Sequence, residues 1–335
     1  MATHHLDDTQ PHAFWDNSYP PRVKIKPGDT VVFETLEASA KQVTPGSLHE
    51  VVAKLDFGVI HPLTGPVYVE GAEPGDTLEV EIVSLKHKGW GWNAVIPGFG
   101  LLADDFSNPY LHHYKLGRTH CQFREDILIP YEPFCGVMGV APREAGRLNT
   151  IPPRENAGNI DIRHLTPGAR VRFPVLAPGA LFSCGDCHSA QGDGEVNGTG
   201  IETPMTVTLR LNLLKGVTTP ELRFTTPARK KLTVADAGGY FVTTAHGPDL
   251  FKCSQQAIRY MIDHLSSEYN MTREQAYCLC GAAVDLKISE IVDAPNWIVS
   301  AYLPLSIFVK KPAKRAAAKA GKARPKAKAA KKGRR

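Results

Sequence analysis

Apolar and polar positions alternate in short runs over the first two thirds of the chain. Leu78, Val80 and Ile82 interleave with Thr77, Glu79 and Glu81, the period of two expected of a half-buried strand, whose successive side chains point to opposite faces. Three such runs follow one kind of turn: Lys26-Pro27-Gly28-Asp29 leads into 30–34, Glu73-Pro74-Gly75-Asp76 into 77–82, and Thr166-Pro167-Gly168-Ala169 into 170–175. Proline presets φ at the first central position and glycine takes positive φ at the second, a type II turn. Pro and Gly recur at short intervals from Pro20 to Pro220, which leaves no room for long helices. After Gly247 the period changes. Leu250, Cys253, Ala257, Tyr260, Met261 and Leu265 fall near helical spacing over 249–269, and Thr272 with Gln275 opens a second helix to about Cys280. Residues 288–291 and 297–308 read as terminal strands, with Val299, Tyr302, Leu303 and Ile307 available for the core. The fold class predicted is mainly β, an antiparallel β-sandwich or barrel body over 1–308 with two C-terminal helices at about 249–280.

Composition narrows the class. The chain has 335 residues, 42% hydrophobic and 22% charged, which suits one or two tightly joined globular domains and excludes fibrous or disordered classes for the bulk of it. No apolar stretch approaches the roughly 20 residues of a membrane-spanning helix, and the N-terminus lacks a basic region followed by an apolar one, so a cytoplasmic location is expected. Seven cysteines fit reduced thiols better than a disulfide framework. The net charge of +5 hides an asymmetry. Residues 310–335 hold 13 of the 39 Lys and Arg and no Asp or Glu, leaving 26 cationic against 34 anionic residues in the acidic body. With no large apolar residue, a tail over 309–335 is expected to be disordered.

The densest chemistry lies at 183–202. Asp186, His188, Gln191, Asp193, Glu195 and Glu202 occur there among five glycines, a stretch too polar, on this reading, to form a core. Asp186 and His188 are two apart, so an extended strand projects both from one face. Carboxylates and an imidazole converging in a glycine-rich turn suit a divalent metal or an acid/base pair; the plainer reading is a solvated loop. Cys184-Gly-Asp-Cys187-His188 also matches a c-type haem attachment pattern, but no export signal accompanies it. A thioredoxin-like dithiol would need a following helix, and a four-sulfur zinc site a second C-x-x-C where Cys278-Leu-Cys280 has the wrong spacing. The two cysteines read best as small buried residues beside a site made by their neighbours.

Gly185-Asp186, His188, Gln191-Gly-Asp193-Gly-Glu195-Val196 and the downstream Glu202 resemble the signature of the acetamidase/formamidase family, G-D-x-H-A-x-Q-G-D-G-E-V followed by a Glu. The resemblance extends through His61-Pro62-Leu63-Thr64-Gly65-Pro66, Pro133-Phe134-Cys135-Gly136, Gly158-Asn159-Ile160-Asp161 and Gly179-Ala180-Leu181-Phe182, spanning about 23–213. It departs at Ser189, where Ala is common, at Ala157, where a glycine is usual, and in the tail. The resemblance implies hydrolysis of a short carboxamide to carboxylate and ammonia on a β-rich fold.

Amide hydrolysis needs an activated water, a stabilised oxyanion and a protonated leaving amine. No G-x-S-x-G elbow is present, and an acidic surrounding disfavours a thiolate at Cys184 or Cys187, although a cysteine-nucleophile amidase remains an alternative. Water activation by metal or carboxylate fits better. His61, Asp161, Asp186 and His188 are the expected ligands of a divalent ion, zinc being the first choice for imidazole with carboxylate. Glu195 is the expected general base, with Gln191, Asp193 and Glu202 orienting ligands or binding the amide. His49, His112 and His113 are expected to be structural, His4, His5 and His12 part of a mobile terminus, and Trp90 and Trp92 to pack or to wall the site. A homo-oligomer is expected. The other class weighed is a non-catalytic binding protein whose basic tail contacts nucleic acid without sequence preference.

Overall fold

In a computed structural model, which describes residues 1–228, 234–292 and 294–310, the chain forms two face-to-face sheets, a third sheet beside them and a helical C-terminal layer. The six-stranded sheet runs Thr3–Leu6, Thr30–Glu34, Met205–Leu214, Thr77–His87, Arg170–Pro174 and Arg223–Thr225. All three turn-led runs lie in it, and Gly28, Gly75 and Gly168 hold φ of 92°, 98° and 94° as the turns require. The five-stranded sheet runs Ala157–Asn159, Phe134–Gly139, Phe182–His188, Leu63–Val69 and Val23–Ile25. Between these two sheets Val31, Phe33, Leu78, Val80, Phe173 and Leu209 pack on Ile25, Val67, Phe134 and Phe182. The predicted β-rich body is present, antiparallel except where Thr3–Leu6 pairs with Thr30–Glu34 and Val23–Ile25 with Leu63–Val69. His4 and His5 thus lie on an ordered strand, and the expectation of a mobile terminus fails because that strand gains the ladder of its neighbour.

A four-stranded sheet, Trp90–Val95, Tyr110–Leu116, His120–Arg124 and Ile127–Pro130, adjoins a second core. That core includes helices α1 (Leu250–Tyr269) and α2 (Arg273–Ala283) and a three-stranded sheet of Tyr240–Gly247, Trp297–Pro304 and Asp285–Glu290. Both helices start where a side chain can satisfy the free N–H groups of the first turn: Asp249 accepts from Phe251 and Lys252, and Thr272 from Gln275. On α1 the buried stripe is Cys253, Ala257, Ile258, Met261, Ile262 and Leu265; Tyr260 faces solvent, 48% exposed, against the expectation that it joins the stripe. The basic tail falls outside the described residues except for Val309 and Lys310. Among the described residues no helix is long and apolar enough to cross a membrane.

The segment after Phe182–His188 stitches the two cores together. Ser189 and Ile201 pair across its ends, Glu202 and Trp92 exchange backbone hydrogen bonds, Gly192 N–H donates to Gly281 O on α2, and Leu286 N–H donates to Asp193 O. Residues 183–192 are buried throughout. The stretch judged too polar for a core is mostly inside the protein, because its backbone is paired on both sides and Cys184, Cys187, Val196 and Ile201 supply apolar packing.

Candidate active site

Strand Phe182–His188 runs between Phe134–Gly139 and Leu63–Val69, but its regular pairing lapses where Asp186 meets Gly136. Asp186 turns left-handed there, φ 48°, and the freed Gly136 carbonyl accepts from Ile160 and Asp161 instead. Asp161 (φ 45°), His61 (φ 51°) and Glu195 (φ 43°) share this uncommon conformation. Non-glycine residues avoid it at a cost of order 1–3 kcal/mol each, and it tends to concentrate at functional sites. Gly136 is a steric necessity: a Cβ there would lie 2.7 Å from Asp161 Oδ1 and 2.9 Å from Asp186 Oδ2. Gly200 similarly leaves room for the His188 ring, whose Nδ1 would be 2.4 Å from a Cβ.

His188 is the hub of the cluster. Its Nδ1 lies 2.7 Å from Gln191 Oε1, and Gln191 Nε2 donates to Asp161 O at 3.0 Å. That second bond fixes the amide, so Nδ1 carries the proton and Nε2 faces the carboxylates. Glu202 Oε2 is 3.1 Å and Asp186 Oδ1 3.5 Å from Nε2, neither aligned as a hydrogen bond. His61 Nε2 stands 3.9 Å from Asp186 Oδ2, and Asp161 Oδ1 3.8 Å from His188 Nδ1. Glu202 Oε1 accepts from Gly200 N–H at 2.9 Å.

Burial and mutual repulsion distort the titration of these groups. Burial, reinforced by Glu195, raises Asp161 well above the carboxylate range. Burial pushes Glu195 up to about 8 against the pull of His188, and does the same to Glu202. Burial works against ionised Asp186 too, but His61 and His188 outweigh it and hold that carboxyl low. Burial disfavours the His188 cation, yet Glu202 and Asp186 raise its pKa well above the ordinary value. Desolvation lowers His61, with Asp186 opposing.

The structure therefore brings together His61, Asp161, Asp186, His188, Gln191, Glu195 and Glu202. Asp193 lies apart: its backbone N–H donates to Asp285 Oδ1 at 3.0 Å and its carboxylate faces His164 at 3.9 Å. Asp161, Asp186 and His188, and likewise His188, Glu195 and Glu202, offer donor atoms within 4.8 Å of one another. These Asp, His and Glu side chains form a possible metal-binding site. His61 Nδ1, Asp161 Oδ1, Asp186 Oδ1, His188 Nε2 and Glu202 Oε2 are all buried without a hydrogen-bond partner. Burying one such atom costs on the order of 1–3 kcal/mol; Asp161, Asp186 and His188 lie close enough to share a cation, as do His188 and Glu202 with Glu195, and a cation in either trio would partner such atoms.

Cys184 and Cys187 are fully buried between the sheets, with Cys187 Sγ 3.6 Å from Cys135 Sγ and 3.5 Å from Thr35 Oγ1. Burial pushes both thiols up, so they pack rather than attack. His49 accepts from Leu111 N–H, and His112, on a strand, contacts Phe123 O at 2.8 Å. A cavity of about 60 Å³ opens on the cluster. Sequence reasoning assigned no role to Gly136, or to the lining residues Leu55, Phe57, Ile60, Ile96 and Phe99. Gly136 carried a signal, being a glycine inside an apolar strand; the apolar lining carried none that distinguishes it from core. Trp92 does wall the cavity, its Nε1 donating to Glu37 Oε2 at 3.0 Å.

The family model for the acetamidase/formamidase family matches residues 2–146 and 143–310. A formamidase of Methylophilus methylotrophus is 30% identical over 369 residues, covering 90% of this chain and 90% of that protein. Among solved structures, a gamma lactamase from Delftia acidovorans superposes with a TM-score of 0.84 at 25% identity, over 94% of this chain and 95% of the other. An acetamidase from Bacillus halodurans gives 0.64 at 31% identity, over 91% and 98%. With Asp186, Glu195 and Glu202 of its signature lining one cavity and the family model spanning nearly all of the described chain, this protein belongs to the acetamidase/formamidase family and is an amidase of linear, non-peptide amides.

Proposed function

We propose that the protein hydrolyses a short linear carboxamide to its carboxylate and ammonia, with the attacking water activated where Asp161, Asp186, His188, Glu195 and Glu202 converge. The observation that carries this reading is the cluster of buried donor atoms without hydrogen-bond partners on Asp161, Asp186, His188 and Glu202, three of which residues line the cavity. Asp161, Asp186 and His188 would hold a divalent cation, zinc on the chemistry of imidazole with carboxylate, and His61 stands beside them. When bound, such a cation supplies Lewis-acid polarisation and makes a water molecule acidic enough to deprotonate near neutral pH.

Glu195 takes the proton from water and returns it to the departing nitrogen. A carboxyl pushed up to about 8 can both hold and release a proton near neutral pH, which is what a single acid/base residue needs. Gln191 fixes the His188 tautomer from behind, and Glu202, tied to Gly200 N–H, faces His188 Nε2. The setting proposed is cytoplasmic, with the basic tail as a separate, salt-sensitive anchor for nucleic acid.

The test is ammonia release from a panel of short amides, before chelation, after chelation and after restoring zinc. Turnover that chelation abolishes and zinc restores is the expected result; no turnover of any amide with or without metal would refute the reading. Truncation after Val309 should leave kcat/KM within twofold and abolish retention on DNA at low salt.

A further inference from the structure

Beyond the donor cluster, much of the cavity lining is apolar: Leu55, Phe57, Ile60, Trp92, Ile96 and Phe99. Trp92 is 2% exposed and its only polar atom is already bonded to Glu37, so the indole offers the cavity nothing but hydrocarbon. Phe57, 38% exposed, stands at the solvent edge and meets Phe99 edge-on with ring centres 6.2 Å apart. A formyl group would gain almost nothing from such walls. Each buried methylene gains about 0.8 kcal/mol, close to fourfold in binding. Such walls reward each added acyl carbon until the chain reaches Phe57 at the solvent edge, where a benzoyl ring would meet the Phe57 side chain.

We infer that this apolar lining is an acyl-binding site, and that the preferred substrates are primary amides of small aliphatic acids of the propionamide and butyramide class rather than formamide. Phe57 sets the upper size limit from the mouth, and Ile96 and Trp92 contact the acyl chain inside. The inference rests on the amidase reading above and specifies its substrate.

The experiment is kcat/KM of the full-length protein with formamide, acetamide, propionamide, butyramide and benzamide, repeated for Phe57→Ala. The expected series climbs about fourfold per added carbon to butyramide and drops at benzamide. Phe57→Ala, at an exposed position where folding tolerates truncation, is expected to raise the benzamide-to-butyramide ratio about tenfold. A flat series, or one led by formamide, overturns the acyl site and leaves the amidase standing. A Phe57→Ala protein with an unchanged ratio overturns the size limit assigned to that ring, and no turnover of any amide overturns site and amidase together.

Discussion

His112 and His188 are both packed against a phenylalanine ring. His112 stacks on Phe123 with centroids 4.2 Å apart, and His188 meets Phe134 edge-on at 5.0 Å. Burial opposes the cation of each, but the outcomes diverge. For His112 the main counterweight is one backbone carbonyl, and its pKa falls to about 4. For His188 the carboxylates of Glu202 and Asp186 reverse the sign and raise it. The difference teaches that burial alone makes a histidine inert. A ring of buried carboxylates makes it a charge-bearing hub, and of these two histidines only His188 sits among buried donor atoms left without partners.

The sharpest way to break this comparison is at the carboxylates. Glu195→Gln should lower kcat by about 10²-fold or more, the usual range for a lost general base, with thermal unfolding no lower, since the neutral amide removes a buried ionisable group; near-normal turnover would take Glu195 out of the mechanism. Gln191→Leu removes the acceptor that orients His188 and should cost about 10–100-fold in metal affinity or activity, read by metal titration beside kcat. For His112 the folded pKa lies below the unfolded value, so the unfolded chain binds the extra proton. Stability is therefore fully present above about pH 6.5 and declines as pH falls toward 4, by on the order of 2 kcal/mol once partial exposure is allowed for. Denaturant midpoints at pH 7 and 4.5, compared between wild type and His112→Phe, isolate it: the variant should lose less on acidification. At pH 7 that variant should keep kcat/KM within twofold, the smallest effect of the set; a large loss would mean that His112 has catalytic duties its carbonyl partner gives no hint of.

Much of the architecture was legible because it follows local rules. The Pro-Gly turns, the alternation at 77–82 and the cap at Thr272 each depend on a few neighbouring residues, and each is present. The strand at the N-terminus was missed because its partner, Thr30–Glu34, lies far along the chain and pairs with it in parallel. At the site, residues within 186–202 could be linked by their spacing alone. His61 and Asp161 reach it from other strands' ends and were placed only through the motif. Asp193 was grouped with its neighbours, but beside the turn at Gly194 it faces the Arg163 and Asp285 side of the protein. The polarity of 183–202 suggested exposure because composition is blind to pairing: its backbone bonds and the two cores it joins are long-range facts.

Left-handed backbone at His61, Asp161, Asp186 and Glu195 has a bearing on efforts to make this enzyme hardier. At each of those positions glycine would sit more comfortably than the native residue. Selection for heat tolerance alone would therefore drift toward glycine at 61, 161, 186 and 195, and under the hydrolytic roles proposed above the toughest descendants would be those that had stopped turning over amides.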